Sequence, residues 1–327
     1  MKKSEILKVF LVVGMVLVFV MMGNSESLAQ KDYPNKEIEI VVTFSAGGMA
    51  DQAYRTINEE LAKVLGVPVV IVNKAGASGT IGAHFVTQSK PDGYTLMGTS
   101  LSTIVIAPLI LGKIPYKHSD IVPIAQFVST PQLFAVKKDA PWKTLAEFIS
   151  HAKKNPGKLT CGTVGVGSSP HFMLEMLKVE AGIDVQHIPF KGGGETHAAI
   201  LGGHIDLASS TLNPTLPLVQ SGDLRVLASS SRIKQFPKVP TTAEAGYPGA
   251  TLISWVGCFG PKGIEKSVVD KIANALEKTV KNPSVAKRLE ETGSQSDFVG
   301  PENFGRQIEE DLKRLAEIVK KANIKVQ

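Results

Sequence analysis

The sequence predicts an α/β protein made of two lobes that face each other across a cleft. Apolar, strand-like runs alternate with segments of helical spacing along most of the chain. Nearly every one of these runs leads into a loop rich in Gly, Ser or Thr, and the opening pattern starts again at residues 158–169. In sheets of this kind, ligands bind at the carboxyl ends of the strands, where these loops fall.

The first 29 residues are interpreted as a secretory signal peptide. Basic residues at positions 2, 3 and 8 are followed by an apolar run at 9–22, and small residues at 27 and 29 suit cleavage after Ala29. A retained membrane anchor is the alternative, but the run is shorter than the roughly 20 residues of a membrane span. The predicted location of the mature protein is therefore the periplasm.

Composition narrows the class of protein. The chain has 327 residues and a net charge of +6 without long basic runs, so we expect no nucleic-acid partner. Its two cysteines, Cys161 and Cys258, lie in apolar runs, which favours buried free thiols, although export leaves a disulfide open. Scattered histidines predict neither a metal nor a cofactor. We expect a monomer.

The first strand, loop and helix organise the rest of the chain. Residues 38–42 suit a buried strand, and Ala53, Ile57, Leu61 and Val64 recur at helical spacing after it. The connecting loop can bring the unpaired N–H groups of the helix start against a small anion such as a carboxylate. Its candidate ligand residues are Phe44, Ser45, Ala46, Gly47, Gly48, Met49 and Asp51. The alternatives are a tight turn without ligand and, for Asp51, a helix cap.

The remaining elements of the first lobe repeat this order. A strand at 67–72 leads into a small-residue loop that contains Ser78, a helix follows at 80–89, and a strand at 94–98 ends near Ser100. Apolar residues 124–128 and 132–136 flank Pro131 and predict a crossover into the second lobe. The return crossover is predicted at 251–259, followed by helices at 267–280, 283–292 and 301–321.

The second lobe is predicted from a helix at 145–153, strands at 158–163, 185–190, 205–208 and 224–228, and helices at 170–180 and 196–201. Its loop at 164–171 supplies the candidates Gly167, Ser168, Ser169 and His171, and the Gly192–Gly194 run supplies Gly193. Glu195 can cap a helix or accept a hydrogen bond from a ligand amine, with capping favoured, and Asp206 is expected to be structural. The predicted domains are residues 30–130 with 256–327, and residues 131–255.

Enzyme motifs were weighed against the binding interpretation. The nucleotide-binding and nucleophile-elbow patterns are missing from the sequence. Ser168 or Ser169 with His171 could form a nucleophile and base, which leaves an exported hydrolase as an alternative, although no orienting acid is evident. His171 and Glu175 lie one helical turn apart but lack an evident third metal ligand.

An ordered set of motifs resembles one family, the Bug proteins, which are extracytoplasmic solute receptors of the tripartite tricarboxylate transporter type. The resemblance spans nearly all of the mature chain. It is carried by residues 33–34, 38–51, 73–83, 91–96, 165–171, 190–194 and 201–206. Thr43, Met49 and Cys161 depart from the residues that the family often has at these positions, which puts the identity of the ligand in doubt more than the fold.

The resemblance implies a type II-like periplasmic-binding-protein fold, with two crossover strands as a hinge. It implies that a small carboxylate is bound without chemistry, largely by backbone N–H groups. By position, the family's ligand loops match residues 44–51 and 167–171, with Ser78, Ser100 and Gly193 nearby. Delivery would be to the membrane subunits of a tripartite transporter, with a sensory role beside a signalling partner as the alternative.

Overall fold

The computed structural model describes residues 33–322, so the predicted signal peptide lies outside the described residues. Backbone contacts divide the chain into Met1–Lys36 and Glu37–Gln327, and the strands and helices belong to the second unit. Its strands are β1 (Ile38–Val42), β2 (Val69–Asn73), β3 (Thr95–Ser100), β4 (Ile121–Lys137), β5 (Thr160–Thr163), β6 (Gln186–Pro189), β7 (Leu207–Thr211), β8 (Leu224–Ser229), β9 (Ile253–Pro261) and β10 (Gln295–Val299).

Helices connect and cover these strands. They are α1 (Met49–Leu65), α2 (Thr80–Thr87), α3 (Ala107–Ile110), α4 (Leu145–Lys154), α5 (Ser169–Ala181), α6 (Gly193–Leu201), α7 (Leu212–Gln220), α8 (Lys266–Lys281), α9 (Pro283–Glu291) and α10 (Pro301–Ala322). A π-helical turn, Ser102–Ile106, precedes α3. The sequence analysis did not predict this turn, α3, α7 or β10.

The strands form one sheet in the order β2-β1-β3-β9-β4-β7-β5-β6, and β8 and β10 pair with β4 outside this path. At one end β1 runs parallel to β2 and β3, and at the other β5 runs parallel to β6 and β7. The antiparallel pair β4 and β9 joins the two parallel parts. Each parallel part points the carboxyl ends of its strands at the loops that the sequence singled out.

Strand β4 is one continuous strand of 17 residues, where two apolar stretches were predicted on either side of Pro131. Residues up to Pro131 pair with β9, whereas Gln132 and the residues after it pair with β7 and β8. Proline has no N–H for a ladder, and here it sits where the strand changes partners. The predicted crossover is therefore present, but β4 passes through it as one unbroken strand. The residue bounds of the two domains stay a prediction.

Helix α1 buries the stripe that its sequence predicts, with one exception. Ala53, Ile57 and Leu61 are buried, but Val64 is 36% exposed because it lies one residue before the helix ends. Tyr54 packs edge-to-face on Phe127 of β4, with 4.8 Å between the ring centroids. Each buried aromatic pair of this type contributes about 1 kcal/mol beyond its area. These contacts fix α1, and with it the loop before it, against the sheet.

Both cysteines are free and buried, as the sequence favoured. Burial raises the pKa of the Cys258 thiol to about 12 and raises that of Cys161 still further. Among the described residues, no helix has the length and apolar character needed to cross a membrane.

Candidate functional site

A cavity lies between the two parallel parts of the sheet, where strand ends and helix starts from both parts meet. We call it the inner cavity, and its empty volume is about 530 Å³ with the solvent at its mouth included. It is lined by Phe44, Ser45, Gly48, Met49, Ala50, Ser100, Ser102, Val164, Ser169, Pro170, Gly192, Gly193, Ser210, Thr211 and Pro214. Among these described residues, none carries a charge.

The loop between β1 and α1, residues 44–48, is called the first loop. Gly47 has a φ of +77°, a conformation that glycine adopts without strain, and this turns the chain into the helix. Gly48 occupies the N-cap position and has no side chain to accept a hydrogen bond from the first turn. The first N–H groups of this 17-residue helix therefore face the cavity with the partial positive charge of the helix start.

The loop between β5 and α5, residues 164–168, is called the second loop, and it behaves differently. Ser168 caps α5, since its Oγ accepts a hydrogen bond from the His171 N–H at 3.3 Å. The same hydroxyl donates to the carbonyl of Gly165 at 2.7 Å. The N–H of Ser169 donates to Ser102 Oγ at 2.8 Å. The donors at this helix start are thus already committed within the protein.

A third wall comes from the starts of α6 and α7. Gly192 lies so close to the first loop that a Cβ on it would be 3.2 Å from Ser45 Oγ. The N-cap of α6 is Gly192 and that of α7 is Thr211, and neither makes a side-chain cap hydrogen bond. The carboxylate of Glu195 accepts a hydrogen bond from the Lys191 N–H at 3.1 Å, which agrees with the capping role favoured from the sequence.

Serine hydroxyls form the floor of the inner cavity. Ser102 Oγ donates to Ser169 Oγ at 3.2 Å, and Ser169 Oγ lies 3.3 Å from the hydroxyl of Ser254 on β9. Ser100, at the end of β3, lines the same floor and is 3% exposed. The hydroxyl of Ser100 has no hydrogen-bond partner among the described residues. It is therefore available to a bound molecule.

Besides the two hydrogen bonds between Ser102 and Ser169, three more cross the cleft and connect the two sides of the cavity. Ser45 Oγ donates to the Lys191 carbonyl at 3.4 Å, and Asn213 Nδ2 donates to the Met49 carbonyl at 3.3 Å. Ser78 Oγ donates to the Val166 carbonyl through a short hydrogen bond. The structure is thus a closed arrangement in which the two sides touch.

A second space, called the outer cavity, adjoins the first and shares Phe44, Ser45 and Val164 with it. Its other lining residues include Lys191, Glu195 and the loop at 75–79. Within that loop Ala77 and Ser78 have φ values of +45° and +53°, which non-glycine residues rarely adopt. Backbone strain of this kind is concentrated at ligand clamps and switch segments.

Eight of the fourteen candidate residues border these two cavities. Phe44, Ser45, Gly48, Met49, Ser100, Ser169 and Gly193 line the inner cavity, and Ser78 lines the outer one. The other six, namely Ala46, Gly47, Asp51, Gly167, Ser168 and His171, line neither. Ala46 and Gly47 are exposed on the first loop. Their side of the loop faces away from both spaces.

Asp51 fixes the conformation of the first loop without lining either cavity. Its buried carboxylate accepts hydrogen bonds from the Gly47 N–H at 2.8 Å, Arg55 Nε at 2.9 Å and Asn73 Nδ2 at 2.9 Å. Burial alone would raise the pKa of Asp51, but the hydrogen bonds from Arg55, Gly47 and Asn73 outweigh it and hold the pKa below its usual value. Asp51 therefore positions the first loop and lines neither cavity, and its contact with a ligand stays a prediction.

His171 holds the second loop in a similar way. Its Nδ1 accepts a hydrogen bond from the Gly167 N–H at 3.3 Å, and its ring stacks on His187 with 4.1 Å between centroids. His187 Nε2 lies 2.7 Å from Thr163 Oγ1, which in turn accepts a hydrogen bond from the Gly165 N–H. Burial, with the charge of Lys178, lowers the pKa of His171 to about 4.

This geometry bears on the alternatives raised from the sequence. The His171 ring contacts the Gly167 N–H and lies 3.8 Å from a Glu175 oxygen, whereas the Ser168 hydroxyl bonds to backbone groups. These contacts therefore do not form a pair in which the His171 ring activates a serine nucleophile. The described residues also contain no cluster of three or more side chains suited to a metal ion.

Several lining residues escaped the sequence analysis. Ser102 lies two residues after the end of β3, and Ser210 and Thr211 end β7. Both places satisfy the rule that ligands bind at strand carboxyl ends, so this signal was present. Pro170 and Pro214 line the cavity from the first turns of α5 and α7, and only the packed structure brings them there.

Comparison with known proteins decides the family. A family model described as the tripartite tricarboxylate transporter family receptor matches residues 53–324. This chain belongs to that family. The match covers most of the chain, and it confirms the resemblance predicted from the sequence.

Solved structures of similar proteins share the fold. The periplasmic binding protein BugD is 30% identical, with a TM-score of 0.85 over 90% of this chain and 100% of that one. An R. palustris protein solved with adipate is 28% identical, with a TM-score of 0.87 over 90% and 99%. MatC of Rhodopseudomonas palustris, with bound malate, is 29% identical, with a TM-score of 0.83 over 88% and 100%. The predicted two-domain periplasmic-binding-protein fold is confirmed.

Proposed function

We propose that this protein is a periplasmic receptor that captures a small carboxylate in the inner cavity and delivers it to a tripartite membrane transporter. The observation that carries the proposal is the cavity itself. It combines uncapped helix starts from both sides with a lining that contains no charged residue among those described. A carboxylate is the small group that such a lining attracts, because backbone N–H groups and helix dipoles both favour an anion.

The proposed contacts come from the residues that line the inner cavity. The start of α1, at Gly48, Met49 and Ala50, supplies N–H groups, and Ser100 supplies a free hydroxyl. The start of α6, at Gly192 and Gly193, closes the site from the other side. Asp51 and His171 act through the loops that they hold, because neither lines the cavity.

Relatives support a carboxylate as the ligand class. Two similar proteins were solved with adipate and with malate, both small carboxylic acids. The family model is named for receptors of tripartite tricarboxylate transporters, which supports the proposed transporter partner. A receptor needs to bind and release its ligand without chemistry, and the bonding of His171 and Ser168 to the second loop suits that role.

Ligand capture would use a hinge. We propose that the predicted domains, 30–130 with 256–327 and 131–255, move about β4 and β9, the two strands that connect them. The hydrogen bonds across the cleft, including those between Ser102 and Ser169, would break on opening and re-form on closing. Export would follow removal of residues 1–29, as the sequence predicts.

A thermal-shift screen of the mature, ligand-stripped protein against mono-, di- and tricarboxylates tests the binding proposal. An acid at about 100 times its dissociation constant should add roughly 2.7 kcal/mol of stability. Amines and sugars of similar size serve as controls and should give no shift. The proposal would be wrong if no acid raised the melting temperature while an uncharged or cationic solute did.

A second assay tests delivery. Membrane vesicles that contain the cognate tripartite transporter should take up the radiolabelled acid only when the receptor is present with ligand. A receptor variant with the same stability but no ligand binding is the matched control. Equal uptake without the receptor would contradict the proposed partnership and leave the binding proposal intact.

A further inference from the structure

The lining of the inner cavity has two unlike parts, and this difference bears on which acids fit. Resting on the proposed function, we infer that the receptor selects acids with one carboxylate and an uncharged body over dicarboxylates of the same length. The inference depends on which helix starts still have free donors and on what the rest of the lining offers.

The first part contains the open helix starts. The N–H groups of Met49 and Ala50, at the start of α1, have no acceptor among the described residues. The starts of α6 and α7 meet α1 at this place, since Gly192 approaches Ser45 and Asn213 bonds to the Met49 carbonyl. Because these helix starts touch one another, they form a single anion-binding part that one carboxylate fills.

The second part of the lining, at the start of α5, has its donors already bonded within the protein. The Ser169 N–H donates a hydrogen bond to Ser102 Oγ, and the His171 N–H donates one to Ser168 Oγ. Pro170, which lies between them, has no N–H. The hydroxyls of Ser102 and Ser169 also bond to each other. Ser100 is the free polar group that remains on this floor among the described residues, and it is 3% exposed.

A second carboxylate at this floor would therefore lose water and gain at most a neutral hydroxyl. Burying an ionised carboxylate without N–H donors or a cation is strongly unfavourable. The side walls add apolar contact from Phe44, Met49, Val164 and Pro214 instead. Such walls favour a hydrocarbon or aromatic body over a charged one.

The outer cavity does not supply the missing cation. Lys191 is the only Lys or Arg among the described residues that line either cavity, and its side chain is exposed. Glu195 lines the same cavity four residues later and offsets the lysine charge. Solvent screening weakens what attraction remains.

Titration calorimetry on the ligand-stripped mature protein tests this selectivity with acids paired by carbon number. The pairs are butanoate with succinate, hexanoate with adipate, and 4-methylbenzoate with terephthalate. In the pair that binds best, the monocarboxylate should bind at least about tenfold more tightly. A dicarboxylate that binds as tightly as its partner overturns the inference but leaves the proposed function standing. Absence of binding by every acid overturns the proposed function as well.

Two variants sharpen the test. Pro214→Lys places an ammonium group on the cavity wall and should shift the affinity ratio toward dicarboxylates by at least about tenfold. Lys191→Met removes the outer ammonium and should leave the ratio unchanged. The inference fails if Lys191→Met selectively weakens dicarboxylates, because Lys191 would then hold a second carboxylate, or if Pro214→Lys folds normally and leaves the ratio unaltered.

Discussion

The first and second loops look alike in the sequence, yet the structure uses them in different ways. Each follows a parallel strand, contains glycine and serine, and leads into a helix of more than three turns. The first has Gly48 at the N-cap, whereas the second has Ser168 there. A glycine cap leaves the helix donors open to a ligand, but a serine cap uses them for the protein's own stability.

The two loops are also held by different chemistry. The first is fixed by the Asp51 carboxylate, which accepts hydrogen bonds from Gly47, Arg55 and Asn73. The second is fixed by the stacked imidazoles of His171 and His187. The comparison teaches that a strand–glycine–helix pattern indicates a possible site, while the cap residue decides whether its donors are free.

The largest expected effect follows from closing the open helix start. Gly48→Asp would put a negative group where we propose that the carboxylate binds, and its Cβ would lie 3.1 Å from the Ser45 carbonyl oxygen. We expect ligand affinity to fall at least about a hundredfold, measured by calorimetry. Gly305→Asp in α10 is the matched control, because nothing lies within 4 Å of its Cβ. Unchanged affinity in Gly48→Asp would remove the first loop from the site.

The next effect concerns the histidines of the second loop. Burial lowers the pKa of His171 to about 4, and burial together with the charge of His171 lowers the pKa of His187 to about 3. Both values lie below the unfolded value of about 6.5, so the unfolded chain binds more protons and stability falls as pH drops from about 6.5 toward 4. Glu175, which faces the pair, opposes this shift, and Lys178 adds to it.

Protonation of the buried His171 should cost the folded state up to about 3 kcal/mol between pH 7 and pH 4, and the partly exposed His187 should add less. Urea unfolding across this range measures the loss, and His171→Gln should flatten the pH profile, since glutamine does not titrate. His151→Gln on α4, outside both cavities, is the matched control for the exchange of a histidine for glutamine. An identical slope in wild type and His171→Gln would show that this ring is protonated alike in both states.

The local sequence pattern was sufficient to predict the elements that the comparison of the two loops uses. Strand β1, the first loop and α1 follow from adjacent residues, because apolar spacing and glycine act over a few positions. Contacts between residues far apart in the sequence could not be predicted from this pattern. Asp51 reaches Asn73 on β2, and His171 stacks on His187 of β6, so both side chains turn away from the cavities.

Tertiary pairing also explains the larger misses. Pro131 predicted a break, but β4 runs through it because the strand exchanges partners there. Ser102 belongs to a π-helical turn that packing, more than local propensity, determines. Ser210 and Thr211 could have been found by treating the end of β7 like the ends of β1 and β5. The rule that ligands bind at the carboxyl ends of strands applied here too, but it was used on too few strands.

The smallest expected effect tests the cap of the second loop. Ser168→Ala removes the acceptor of the His171 N–H and the donor to Gly165, so we expect a loss of about 1–2 kcal/mol in unfolding free energy. Thr144→Ala is the matched control, since Thr144 caps α4 by accepting from the Glu147 N–H and lines neither the inner nor the outer cavity. Because the hydrogen bonds at Ser168 stabilise the fold, ligand affinity should change by less than about threefold in either variant. If Ser168→Ala weakened the ligand far more than Thr144→Ala at similar stability, the second loop would have to contact the ligand directly, and the distinction between the two loops would fail.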